Sequence, residues 1–210
     1  MKLVVFGASG RTGMLLVQQA LDAGHEVVAF VRNPSKMPIQ HERLTIVQGD
    51  ALNPDDVERA VKGGDVVLNV LGHTKNTPRD LMTVSAQHIV TAMKKHGVKR
   101  LITLTGAGVG APEDRPKPIN HVIKFLLKTI SPAVLADSER YVDVVKSSGL
   151  EWVVVRAPML TGGARTGSYR VGWVGVNTGP RISRADVADF MLTLIQNGEK
   201  YLHKMPMVSA

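Results

Sequence analysis

Lys2-Leu3-Val4-Val5-Phe6-Gly7-Ala8-Ser9-Gly10-Arg11-Thr12-Gly13-Met14-Leu15 is the stretch that decides the fold. Its first five residues form a short apolar run, the pattern of a strand buried on both faces. Met14, Leu15, Val17 and Leu21 then recur at helical spacing, and Gly24 ends that helix. Between them lies Gly-x-x-Gly-x-x-Gly. In a strand–turn–helix unit, Gly7 permits a tight turn, Gly10 lets the backbone approach a pyrophosphate, and Gly13 lets helix and strand pack closely. Ser9, Arg11 and Thr12 fill the loop, and the free amides at the helix start would face the phosphates.

The alternation continues outward. Glu26–Val31, Leu44–Val47, Asp65–Val70, Arg100–Leu104 and Glu151–Val155 read as further strands. Helices are expected after Asn53-Pro54, over Pro78–His96, near Ile119–Thr129, over Ala133–Ser148 and over Arg184–Asn197. A weak alternating segment spans Ser168–Val171, and Lys204–Val208 reads as a last short strand. Strands separated by helices imply right-handed crossovers. The expected fold class is therefore α/β: one Rossmann-like doubly wound parallel sheet, helices on both faces, forming a single domain over 1–210. Irregular segments at about 106–120 and 157–181 would overhang the carboxyl edge of the sheet, where ligands bind.

Composition agrees. The 210 residues are 44% hydrophobic and 21% charged, enough to bury a full core. The absence of cysteine excludes disulfides, thiolate metal sites and cysteine nucleophiles. Seven histidines at no ligand-like spacing give no metal site. With no long apolar run and no leader pattern, a cytoplasmic protein without a membrane span is expected. The net charge of +8 invites anions, but the cations are dispersed and aromatics make up 4%, so nucleic acid is not expected. No nucleophile elbow or Walker motif occurs.

The strand ends carry the remaining chemistry. After the second strand comes Val31-Arg32-Asn33-Pro34-Ser35-Lys36, with no acid to hold ribose hydroxyls. Arg32 can pair a 2′-phosphate, and Lys36 adds charge, which favours NADPH over NADH. Asp50 could meet an adenine amino edge with Ala51 beside the ring, or simply begin a helix turn. Leu71 and Gly72 leave room beside the ribose and nicotinamide. Thr105, after Leu104, could reach nicotinamide or substrate, or satisfy a local backbone group. Pro158 and the backbone of Met159 and Leu160 could hold the carboxamide, or merely end the sixth strand. His73 and Lys75 read as loop residues at the rim. Lys117, Lys124 and Arg165 read as surface charges that an anionic substrate could also meet, and His121 lies one helical turn from Lys124.

Val5 to Gly13, Val31-Arg32, Gly49-Asp50, Leu71-Gly72, Ala92 to Val98, Ser148-Gly149-Leu150, Thr166-Gly167-Ser168-Tyr169 and Ile182-Ser183 with Asp186 and Phe190-Met191-Leu192 stand in an order and spacing that resemble a known family. It is the NAD(P)H-binding branch of atypical short-chain dehydrogenase/reductases, and within it the flavin reductases of the biliverdin reductase B type. The resemblance implies NADPH lying over the sheet and direct hydride transfer to a flavin, and to a linear tetrapyrrole such as biliverdin. It places Ser9, Gly10, Arg11 and Thr12 at the phosphates, and Arg32, Ser35 and Lys36 at the 2′-phosphate. Asp50 and Ala51 fall at the adenine; Leu71, Gly72, Leu104, Thr105, Met159 and Leu160 fall beside the nicotinamide. The chain departs from the family on the substrate side, with Gly106 in place of a serine and Ser138 and Met159 in place of histidines.

The Tyr-x-x-x-Lys pair that many short-chain reductases use as acid and base is missing. Tyr141 is followed by Val145 at the fourth position, and Lys146 lies well around the helix. Flavin reduction needs no such pair, since the cofactors carry the hard chemistry. The expected partner is a small planar acceptor (flavin, tetrapyrrole or quinone) on a monomer, with flavin as a substrate and not a resident cofactor. The other readings are a quinone reductase, a sugar-nucleotide or isoflavonoid-type modifier on the same scaffold, or a non-enzymatic NADP(H)-binding redox sensor.

Overall fold

Alternate residues of the first strand, β1 (Lys2–Phe6), enter two different cores. Leu3 and Val5 join one apolar cluster, Val4 and Phe6 the other, and all four are fully buried. A strand that buries both faces needs a helical layer on each side. In this computed structural model, which describes residues 1–74, 77–118, 120, 129 and 131–210, those layers are present. α1 (Arg11–Asp22) and α5 (Arg184–Asn197) cover one face through Leu16, Val17, Ala20, Val187, Met191 and Leu194. α2 (Pro54–Val61), α3 (Leu81–His96) and α4 (Pro132–Lys146) cover the other through Val57, Val61, Ile89, Met93, Tyr141 and Val145.

The remaining strands are β2 (Glu26–Val31), β3 (Leu44–Gln48), β4 (Val66–Asn69), β5 (Arg100–Gly106), β6 (Glu151–Ala157), β7 (Met159–Thr161), β8 (Arg170–Gly172), β9 (Arg181–Ser183) and β10 (Met207–Ser209). Eight of them form one sheet in the order β3-β2-β1-β4-β5-β6-β10-β8. All its pairings are parallel except β10 with β8. The chain reverses direction across the sheet between β1 and β4, the switch point where doubly wound folds bind ligands.

The strands and helices expected within the described residues are found, with shifted ends. The helix expected from Pro78 begins at Leu81, because its first amides are capped from another helix and not by the residues before it. The Ser168–Val171 segment becomes β8, antiparallel to β10. β7 and β9, unexpected from the sequence, pair in parallel as a separate two-stranded sheet. Each is three residues long and follows a proline, too short to show a period. The helical pattern over Ile119–Thr129, with His121 and Lys124, and the loop residue Lys75 lie outside the described residues. Among the described residues no helix is long and apolar enough to cross a membrane.

Candidate functional site

At the switch point the end of β1 turns sharply. Gly7 has φ +79°, and a Cβ there would come within 2.8 Å of the Val70 carbonyl and the Leu71 amide. Gly13 is tighter: a Cβ would fall 2.1 Å from the Gly7 carbonyl oxygen. The two glycines therefore let α1 start directly beneath the loop. α1 has no side-chain cap and no acid in its first turn. The first-turn amides of a helix have no carbonyl of their own, so this positive end is open to an anion.

A cavity of about 470 Å³ opens over that helix end. Gly7, Ser9 and Gly10 form its floor, and Arg32, Asn33 and Lys36 come from the turn after β2. Asp50 and Ala51 come from the end of β3, and Leu71 and Gly72 from the end of β4. Phe30, Val31, Val70, Thr74 and Leu81 complete the wall; most of these are the apolar tips of strands already read from the sequence. Its size is that of a cofactor site.

The charges here are uncommitted. Arg32 and Lys36 are both exposed, and among the described residues neither pairs with a carboxylate. Asn33 caps the 3₁₀ turn Pro34–Lys36 with its side-chain oxygen, which accepts both the amide and the hydroxyl of Ser35 at 3.0 and 2.8 Å. Ser35 is thus tied to Asn33 and lies off the cavity wall, while Lys36 is on it. Asp50 is partly engaged: one oxygen accepts the Leu52 amide at 3.0 Å, and its own amide donates to Asp56.

The structure gathers Gly7, Ser9, Gly10, Arg32, Lys36, Asp50, Ala51, Leu71 and Gly72 around one space. The other expected positions stand apart from it. Arg11, Thr12 and Gly13 form the first turn of α1, with Thr12 and Gly13 buried. Leu104 and Thr105 are buried in β5. Pro158, Met159 and Leu160 lie beyond β6, and Met159 is 64% exposed.

That second side of the carboxyl edge is organised in part by Arg156 and Asp114, which the sequence did not single out. Arg156, fully buried in β6, donates two bonds to Asp114 at 2.7 and 2.8 Å and others to the Met205 and Val109 carbonyls. Asp114 also accepts the Ala111 and Val174 amides, tying two irregular segments together. Burial pushes the Asp114 carboxyl up, but the Arg156 guanidinium and these amides outweigh it and hold the group below its ordinary value. Asp186 likewise gathers Thr166, Gly167 and Ser183, and Asp189 takes Arg165 at 2.6 Å and the Tyr169 hydroxyl at 2.8 Å. Arg165 is therefore engaged within the chain.

No tyrosine near the edge is poised as an acid. Tyr141 is fully buried, and its oxygen accepts a bond from the Asn69 amide. Burial pushes its phenol far above the usual range. Tyr169 is raised as well, by burial and by its bond to Asp189.

Residues 7–198 match the family described as NAD(P)H-binding. The chain is 27% identical, over its whole length, to the uncharacterized protein YwnB of Bacillus subtilis, covering 99% of it. Its fold is that of a short-chain dehydrogenase/reductase from Veillonella parvula solved in complex with NADP, at TM-score 0.84 and 19% identity, covering all of this chain and 94% of that one. An anaerobilin reductase from Escherichia coli O157:H7 superposes at TM-score 0.78 and 18% identity, covering all of this chain and 97% of that one. At these identities the structural likeness is one of fold.

Proposed function

The chain belongs to the NAD(P)H-binding family, and on that footing we propose that it is an NADPH-dependent reductase of a planar acceptor, a flavin foremost and a linear tetrapyrrole second. The observation that carries the coenzyme choice is the pair of uncommitted cations, Arg32 and Lys36, on a cavity whose floor is the uncapped start of α1. The residues fit the coenzyme. Gly7 and Gly10 leave room for a pyrophosphate against the α1 amides. Arg32 is suited to a bidentate bond with a 2′-phosphate, and Lys36 adds a point charge. Asp50 has one carboxylate oxygen left to accept from an adenine amino group, and Ala51 provides an apolar side to the ring.

When bound, the nicotinamide supplies a hydride, and the acceptor takes that hydride together with a proton from solvent. The protein's part is to hold the pieces and keep the face over the sheet edge apolar. The occupied, proton-retaining phenols of Tyr141 and Tyr169 support an acceptor that needs no tyrosine acid. Exposed Met159 supports a planar, apolar surface for that acceptor.

The test is coenzyme oxidation followed spectrophotometrically with FMN, riboflavin, biliverdin and a simple quinone in parallel, using NADPH and then NADH. Flavin turnover with NADPH preferred is expected. Quinone turnover exceeding flavin would make the protein a quinone reductase, and tight binding without turnover would make it a sensor. Arg32→Glu isolates the coenzyme assignment. It should weaken NADPH by on the order of 2–4 kcal/mol and leave NADH nearly unchanged. Equal losses for both coenzymes would remove the 2′-phosphate from Arg32.

A further inference from the structure

Residues 71–74 form the cavity wall between β4 and α3, and Leu71, Gly72 and Thr74 face the space. His73, between them, turns the other way. Its side chain is 12% exposed, and its Nε2 lies 2.9 Å from a carboxylate oxygen of Asp137 on α4. The Asp137 side chain is fully buried. It accepts the Met82 amide at 2.9 Å, the Thr83 amide at 3.3 Å and the Thr83 hydroxyl. It therefore caps α3, where Asp80, at the usual capping position, makes no such bond. As an acceptor already set among donors, this carboxylate assigns the proton to Nε2 of His73.

The other nitrogen of the ring, Nδ1, is 3.5 Å from the Thr77 hydroxyl. That hydroxyl accepts the Thr74 amide and donates to the Thr74 carbonyl beside the same ring. One helical turn along α4 from Asp137, the Tyr141 oxygen accepts a bond from Asn69, whose side-chain oxygen accepts the Leu71 amide at 3.1 Å. Thus α4 grips the wall at both ends. Leu71 has spent its amide, but among the described residues the amides of Gly72 and His73 have no acceptor. They are the donors this wall offers to a ligand.

We propose that His73 is a positioning residue for the dinucleotide, fixing the Gly72 and His73 amides through its bond to Asp137. The inference rests on the NADPH reading above. It predicts a defect separable from folding, because Asp137 keeps its three bonds to α3 when the imidazole is gone.

The experiment is NADPH affinity by titration, steady-state kinetics with the best acceptor, and urea unfolding for the wild type, His73→Ala and His73→Gln. In His73→Ala, Kd and KM for NADPH should rise about tenfold, with the loss concentrated in KM and not in kcat. The Gln side chain can still donate to Asp137 and should recover most of that loss. Unchanged affinity in His73→Ala would overturn the proposal, as would a fall confined to kcat or a His73→Gln protein as weak as His73→Ala. A lower unfolding midpoint with coenzyme affinity intact would reduce the pair to a structural tie and overturn it too. A wild-type protein that does not bind NADPH would remove the dinucleotide reading, and this proposal with it.

Discussion

On either side of the break between β1 and β4, the carboxyl edge handles charge in opposite ways. Towards β2 and β3, the cavity presents Arg32 and Lys36, which form no ion pair among the described residues, over a helix start with no cap. Towards β5 and β6, the acids Asp114, Asp186 and Asp189 are consumed by Arg156, Arg165, hydroxyls and loop amides. The first side is shaped by short turns at strand ends and keeps its cations for a ligand. The second consists of long irregular segments, and these three acids are spent in holding them. Free charge marks where a ligand is expected to neutralise it; paired charge marks where the chain lacks regular structure to hold itself.

The severest way to break the first side is Gly13→Ala. The new Cβ would fall 2.1 Å from the Gly7 carbonyl oxygen and 2.8 Å from the Ala8 Cα and carbonyl oxygen. The loop cannot yield without moving the start of α1, so the loss should reach about 3 kcal/mol or more, with coenzyme binding abolished. Urea unfolding and NADPH titration check both. A variant that kept wild-type stability and affinity would show that close approach of α1 does not shape the site.

On the second side the corresponding break is Asp114→Ala. It strands the fully buried Arg156 without its carboxylate, which costs roughly 3–5 kcal/mol. The damage should be local at first. Hydrogen exchange should accelerate at Ala111 and Val174, whose amides bond Asp114, while the β1–α1 turn stays protected. Equal exchange on both sides would mean that the two regions unfold as one and that their difference is only one of chemistry.

This contrast also explains what could be read in the sequence. The cavity side was legible because its lining sits on short runs at strand ends: Gly7 to Gly10, Arg32 to Lys36, Asp50-Ala51 and Leu71-Gly72. The doubly wound order follows from apolar strand runs separated by helices. Arg156 with Asp114 and His73 with Asp137 join residues distant in the chain, so no local pattern announces them. The start of α3 was read too early for the same reason, since its cap comes from Asp137 on α4. β7 and β9 escaped because three residues after a proline carry no periodicity.

Acid sharpens the comparison with a smaller effect. The Asp114 and Asp186 carboxyls are both held below their ordinary value of 3.8. A depressed carboxyl contributes stability that is present above the ordinary value and lost as pH falls through the folded one. The irregular segments that these acids hold should therefore loosen below about pH 4. Trp173 neighbours Val174, which bonds Asp114, so its fluorescence in a Trp152→Phe background is the probe. Its emission should shift before the far-ultraviolet circular dichroism changes, and Asp114→Ala should blunt the early shift. Coincident transitions in both proteins would count against a separate role for these acids.

The smallest expected effect is the most selective. Arg165, its side chain 59% exposed, meets the largely buried Asp189 at 2.6 Å; solvent screens the guanidinium and the Tyr169 hydroxyl still serves Asp189 when it is gone, so the pair contributes only about 1 kcal/mol. Arg165→Gln should therefore barely move the unfolding midpoint and leave KM for NADPH unchanged. Its kinetics with FMN and riboflavin decide whether Arg165 is spent on Asp189 alone. The two acceptors share the isoalloxazine and differ by a phosphate. If Arg165 serves only Asp189, the variant treats both acceptors as the wild type does. If KM rises for FMN and not for riboflavin, Arg165 leaves Asp189 to meet the phosphate, and the acceptor side also keeps one cation for a ligand.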